Sequence, residues 1–145
     1  MDRAKLLEVE ERIRVCTKCN LCKSRTMAVP GEGSNESGIL FIGEAPGANE
    51  DKKGIPFCGA AGKFFDELLK SINLDRNKVY VTNTVKCRPP GIRDPLPEEI
   101  ASCKPWLDMQ IEILNPEIIC VLGRHSMERF LPGMKISSIH GKVFL

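Results

Sequence analysis

The sequence predicts an α/β protein in which helices cover both faces of a small parallel sheet. Two observations carry this. Short apolar runs rich in β-branched residues alternate along the chain with amphipathic stretches of helical period. Alternation of that kind feeds parallel strands through helical crossovers. With 145 residues the chain is long enough for one domain with its own core.

The elements follow in order. Residues 2–15 place Leu6, Leu7, Val9, Ile13 and Val15 at roughly helical spacing. "CTKCNLCKSRT" carries three cysteines and reads as a compact loop, and "GEGSNESG" as a turn-rich connector. "ILFIG" (39–43) is a buried strand. Ala60 to Ile72 is a helix with Phe64, Phe65, Leu68 and Leu69 inward. "KVYVTNTV" (78–85) is a second strand. Four prolines between 86 and 97 exclude regular structure there. Pro97 then suits a helical first turn, with Glu98 and Glu99 at its positive end, and the helix runs to about Leu114 across Pro105. "EIICVLG" (117–123) is a third strand and "RHSMERFL" a short helix. "KVFL" at the end is expected to begin a fourth strand, in a sequence expected to stop short of its natural end.

Composition narrows the function. Hydrophobic residues make up 42% and charged residues 28%, as in soluble globular proteins. The N-terminus mixes charge with apolar residues and lacks the apolar core of a signal peptide, which points to the cytoplasm. No apolar run is long enough for a membrane span. A net charge of +2 does not diagnose nucleic-acid binding, although Lys86, Arg88 and Arg93 cluster in "KCRPPGIRDP".

Seven cysteines need a reason where disulfides are uncommon. Cys120 lies in an apolar strand and reads as a core residue, and Cys58 reads the same way. Cys16 and Cys19 form C-x-x-C, Cys22 follows at the same spacing, and Cys87 and Cys103 bracket the proline loop. Zinc sites with four cysteines usually come as two C-x-x-C knuckles, and the second is absent unless Cys22 serves. A [4Fe–4S] cluster accepts scattered thiolates, and Cys16, Cys19, Cys87 and Cys103 are the set chosen for it.

The loop "GEAPGANEDKKGIPFCGAAG" joins the first strand to the following helix. Neither the Walker A spacing nor G-x-G-x-x-G is present. Pro46 removes a backbone donor, and Glu44, Glu50 and Asp51 repel phosphate. The loop is therefore expected to place carboxylates and the Phe57 ring instead. Asn83, at the tip of the second strand, borders the crevice where parallel sheets bind ligands.

"CTKC", the glycine loop, "VTNTVKCRPP" with "RDPLPEEIASC", and "LNPEIICVLG" together resemble the family 4 iron–sulfur uracil-DNA glycosylases of bacteria and archaea, over residues 5 to about 141. The resemblance implies a three-layer α/β/α sandwich around a small parallel sheet, one domain over 1–145 incomplete at its C-terminus. It implies a DNA-repair hydrolase that flips uracil from single- or double-stranded DNA and leaves an abasic site. Cys16, Cys19, Cys87 and Cys103 are then the ligands of a structural [4Fe–4S] cluster. Glu44, Ala45 and Pro46 line the uracil pocket, Phe57 stacks on the base, Asn83 reads its edge, and Glu50 and Asn83 are the catalytic pair. A His-Pro motif that family members carry beyond the last strand is not matched, since His125 and His140 precede Ser126 and Gly141. His125 is expected at a helix surface or cap, and His140 in a solvated turn. The implied partners are uracil-bearing DNA and base-excision-repair or replication proteins, for a monomer at the nucleoid. The alternative reading is an iron–sulfur domain that grips DNA for a polymerase without chemistry.

Overall fold

The computed structural model describes residues 1–145. Helix α1 (Arg3–Arg14) starts where the Asp2 side chain accepts from the Lys5 N–H at 3.1 Å. It buries Leu6, Val9, Glu10 and Ile13 on one stripe. A four-residue helix, α2 (Leu21–Ser24), sits inside the cysteine loop. Four strands follow: β1 (Glu32–Gly33), β2 (Ile39–Gly43), β3 (Tyr80–Asn83) and β4 (Ile118–Val121), in spatial order β1-β3-β2-β4. Between them lie helices α3 (Ala48–Lys53), α4 (Ala60–Ser71) and α5 (Pro97–Leu114), with α6 (Arg124–Phe130) and α7 (Ile136–Ile139) after β4.

Strand alternation divides the core. Leu40, Ile42 and Tyr80 face one side, where Leu6 of α1 and Leu107 and Leu114 of α5 cover them. Phe41, Val79 and Val81 face the other, under Phe65 and Leu69 of α4. Helices on both faces of a sheet make the expected three layers. No helix is long and apolar enough to cross a membrane.

Five expectations need correction. The sheet is mixed, because β1 pairs antiparallel with β3. Gly33 permits that approach: its φ is 115°, and a Cβ there would stand 1.9 Å from the Val79 carbonyl. The glycine loop, expected to be irregular throughout, contains the helix α3. On α4 only Phe65 and Leu69 turn inward, whereas Phe64 and Leu68 are exposed. Successive residues lie about 100° apart round a helix, so a single stripe faces the sheet. Residues 142–145 form no strand: Gly141, at φ 75°, turns the tail into water. Cys120 is half-buried, because β4 is an edge strand.

Candidate functional site

Strands β2, β3 and β4 run parallel, so their C-terminal ends open on one crevice. Asn83 lies there opposite Gly43 in register. It is 3% exposed, and its carboxamide makes no hydrogen bond within the protein. Its backbone carbonyl is fixed instead, accepting from Lys86 Nζ at 2.7 Å. That ammonium is fully buried and also donates to Thr82 Oγ1 at 2.5 Å. The Thr84 hydroxyl donates to the Gly43 carbonyl at 3.0 Å, tying the two strand ends together.

Phe57 reaches the same place from the loop. A Cβ built on Gly43 would lie 2.5 Å from Asn83 Oδ1 and 2.6 Å from Phe57 Cζ, so the carboxamide and the ring meet over one glycine. Phe57 holds a left-handed backbone, φ 50°, which costs a non-glycine residue about 1–3 kcal/mol unless its surroundings enforce it. Arg76 enforces it, donating to the Phe57 carbonyl at 2.9 Å and to the Pro56 carbonyl, while Asp66 holds the guanidinium at 2.8 Å. Gly62 leaves room for that carbonyl, since a Cβ there would stand 1.8 Å from it. The ring leans on Phe65 with centroids 5.2 Å apart.

Glu50 does not face the crevice as a free carboxylate. Its oxygens accept from the backbone N–H groups of Gly47 (2.9 Å), Cys58 (3.0 Å) and Gly59 (2.8 Å). Burial pushes the carboxyl up, but the Gly59, Cys58 and Gly47 donors outweigh it and hold the group below its ordinary range. Cys58, read from sequence as a core residue, is half-buried with its sulfur 3.4 Å from Glu50 Oε2. Pro46 is buried beside the half-buried Ala45, whose N–H donates to no group in the protein. Glu44 closes the other wall. Its ligand oxygen, one from Asp94 and a His125 nitrogen lie within 4.8 Å of one another. His125 is thus half-buried against the crevice rim, 3.6 Å from Asp94, while His140 is exposed.

The structure brings together Gly43, Glu44, Ala45, Phe57 and Asn83. Sequence reasoning missed Arg76, Lys86 and the Asp94–His125 pair. The position of β4 beside β2 signals the last of these only once the strand order is known. Lys86 had a signal, three residues beyond the asparagine it braces.

Cys16, Cys19, Cys87 and Cys103 gather at a small pocket between α1, α2, α5 and the proline loop, with Trp106 alongside. Three of the four sulfurs receive an N–H: Cys16 from Trp106 Nε1 (3.2 Å), Cys87 from Arg25 (3.2 Å) and Cys103 from the Lys86 backbone (3.3 Å). Cys22 lines the same pocket but receives none. Such donors are how a protein stabilises cluster thiolates. No three cysteine sulfurs lie within 4.8 Å of one another. Tetrahedral zinc at about 2.3 Å per bond would draw them to about 3.8 Å. A cluster binds each sulfur to a different iron and keeps them further apart. An all-cysteine donor set of this kind suits thiolate ligation of iron or zinc.

The sequence description of the uracil DNA glycosylase superfamily matches residues 30–144. Among curated proteins, the type-4 uracil-DNA glycosylase of Sulfurisphaera tokodaii is 48% identical over 97% of this chain and 66% of its own length. Those of Archaeoglobus fulgidus and Thermotoga maritima are 46% and 48% identical, over 94% and 93% of this chain and 71% of their own lengths. The chain thus spans about two thirds of the length of these relatives. With the convergent crevice and the cysteine pocket in place, these matches show that the chain belongs to the uracil DNA glycosylase superfamily, in its type-4 branch.

Proposed function

We propose that the chain accepts an extruded uracil of DNA in this crevice and hydrolyses its bond to the sugar, leaving an abasic site. One observation carries the reading: an almost buried carboxamide with no partner and an aromatic ring converge over Gly43. The ring replaces the stacking a base loses on leaving the helix, worth about 1–3 kcal/mol. Asn83 Oδ1 accepts from uracil N3–H and Nδ2 donates to O4. Cytosine reverses both groups and would leave buried polar atoms unpaired. The Lys86 contact to the Asn83 carbonyl keeps the backbone under that amide fixed.

In the reaction the N1–C1′ bond breaks, its electron pair leaves with the base, a water oxygen joins C1′, and the proton that water sheds ends on the uracil anion. The free Ala45 N–H is placed to donate to the anionic base as charge develops. Pro46 packs behind it. Of the two carboxylates, Glu50 is a positioning residue, spent on the loop that carries Phe57. Glu44 is left to steady the cationic sugar. Cys16, Cys19, Cys87 and Cys103 would hold the [4Fe–4S] cluster, which supplies a covalent tie between the N-terminal loop and the strand end bearing Asn83. The protein acts as a cytoplasmic monomer, ahead of the enzymes that process abasic sites.

The test is uracil release from a single-stranded oligonucleotide by the iron-loaded chain and by Asn83→Asp. Aspartate offers O4 no donor and repels the departing anion. The variant should lose about a hundredfold in kcat/KM, the equivalent of one unpaired buried polar group plus the repulsion. A wild-type chain that releases no uracil, or a variant as fast as wild type, defeats the reading.

A further inference from the structure

Three segments far apart in the chain meet at the crevice rim. Glu44 follows β2, Asp94 comes from the proline loop, and His125 lies in the first turn of α6. A carboxylate oxygen from each acid and a ring nitrogen of the histidine lie within 4.8 Å of one another. The backbone places them. The Val85 N–H donates to the Glu44 carbonyl at 3.1 Å. Gly123 makes room for the Glu44 side chain against the start of α6: its φ is 103°, and a Cβ there would stand 2.5 Å from Glu44 Oε1.

The trio is unsatisfied as it stands. His125 Nε2 is shut off from water yet makes no hydrogen bond, because the 3.6 Å to Asp94 Oδ2 is too long for one. Buried polar atoms without partners are rare and ask for an explanation. The charge is unbalanced too. Asp94 pairs with Arg124, but Glu44 enters no ion pair, so two carboxylates face one guanidinium. A cation among the three groups would answer both faults.

We propose that Glu44, Asp94 and His125 bind one divalent transition-metal ion, at a site separate from the cysteine pocket. The donor set chooses the ion. Carboxylates suit magnesium, calcium and manganese, whereas imidazole suits the later metals, so one imidazole with two carboxylates favours Mn²⁺. Donors about 2.1 Å from an ion stand about 3.4 Å apart in a tetrahedron. The His125–Asp94 pair, at 3.6 Å, is nearly at that spacing, so Glu44 is the group that draws in. Arg124 gives up its place on Asp94. Its side chain is 64% exposed, and such a pair is weak enough to yield. Water fills the remaining positions.

Resting on the glycosylase reading, the ion is an inhibitor. It occupies Glu44, the carboxylate left to steady the sugar, and sets positive charge beside the place where the sugar becomes cationic. Ion and reaction then exclude each other.

The experiment titrates Mn²⁺ into the iron-loaded chain and follows the paramagnetic resonance signal of the free ion. Manganese is the probe because thiolates compete poorly for it. Wild type should take up one ion, saturating below about 1 mM, the weak end of oxygen-rich cation sites. His125→Ala and Asp94→Asn should each weaken binding about tenfold or more, since loss even of a group behind a ligand has that effect. Arg124→Ala, which removes the competitor from an exposed position, should tighten it. Melting temperatures check that the variants fold. A wild type that takes up no Mn²⁺, or folded His125→Ala and Asp94→Asn chains that bind as wild type does, overturns the proposal. An Arg124→Ala chain that binds no tighter removes Asp94 from the ligand set and overturns the three-ligand site. Uracil release from a single strand should fall in wild type with the midpoint of the resonance titration, and should resist the same Mn²⁺ in His125→Ala. Release that persists at saturating Mn²⁺ overturns the inhibition. If the wild type releases no uracil even without Mn²⁺, the glycosylase reading falls, and the resonance titration alone decides the site.

Discussion

Adding one methyl group at Gly43 tests the crevice directly. Gly43 is the last residue of β2 and has no positive φ, so its backbone accepts alanine without strain. What alanine cannot have is space. Its Cβ would lie 2.5 Å from Asn83 Oδ1 and 2.6 Å from Phe57 Cζ, where ordinary contact begins at 3.4 Å, so each group must withdraw by 0.8 to 0.9 Å. Both neighbours are side-chain atoms that can give way. The stability cost should therefore stay in the overpacking range, about 1–3 kcal/mol, and the fold should persist. Function has no such latitude, since misplacing a reactant by about 1 Å costs about a hundredfold in rate. Gly43→Ala should thus melt cooperatively, a few degrees below wild type. In single-turnover release from a uracil oligonucleotide it should be slower by two orders of magnitude or more. Wild-type release by a folded Gly43→Ala would refute the placement of the base between Phe57 and Asn83.

Four further outcomes follow from individual contacts in the fold. The buried Tyr80 hydroxyl donates to the buried Glu10 carboxylate at 2.8 Å, so Tyr80→Phe should leave that carboxylate unpaired and cost about 1–3 kcal/mol in urea unfolding. The Gly59, Cys58 and Gly47 donors hold Glu50 ionised below the ordinary carboxylate range, so its stabilising effect is complete above that range and vanishes as pH falls through the lower folded-state value. The gap in urea midpoint between wild type and Glu50→Gln should be full at neutral pH and close in acid; a gap that widens in acid would contradict the assignment. Cys103→Ser should abolish the brown visible absorbance and bound iron, whereas Cys22→Ser, whose sulfur receives no N–H, should keep both. Trp106, with its indole nitrogen 3.2 Å from Cys16 Sγ, should brighten in fluorescence when a chelator strips the iron.

Much of this was legible in the sequence, for physical reasons. Strand 39–43 appears over those residues because a buried parallel strand must be apolar throughout. Pro97 opens α5 because a helical first turn needs no N–H from it. That Asn83 borders the crevice is legible because it ends a parallel strand. What stayed hidden depends on contacts far apart in the chain. Nothing near Arg76 announces that it will hold the Phe57 carbonyl, 19 residues away. The resemblance implies a catalytic Glu50, and sequence cannot show that three N–H groups converge on its carboxylate. The two-residue strand β1 is too short to leave a period, and α3 is a six-residue helix in a glycine-rich context.

The left-handed turn at Phe57 fixes where the ring is before any ligand arrives. Arg76 and Gly62 meet that expense in advance, so docking a base asks for no rearrangement beneath it. Heritable changes that blunt the proposed activity need never touch the crevice lining. Replacing a guanidinium on the far side of the loop, or thickening a helix by one carbon at Gly62, would unseat the aromatic platform just as surely.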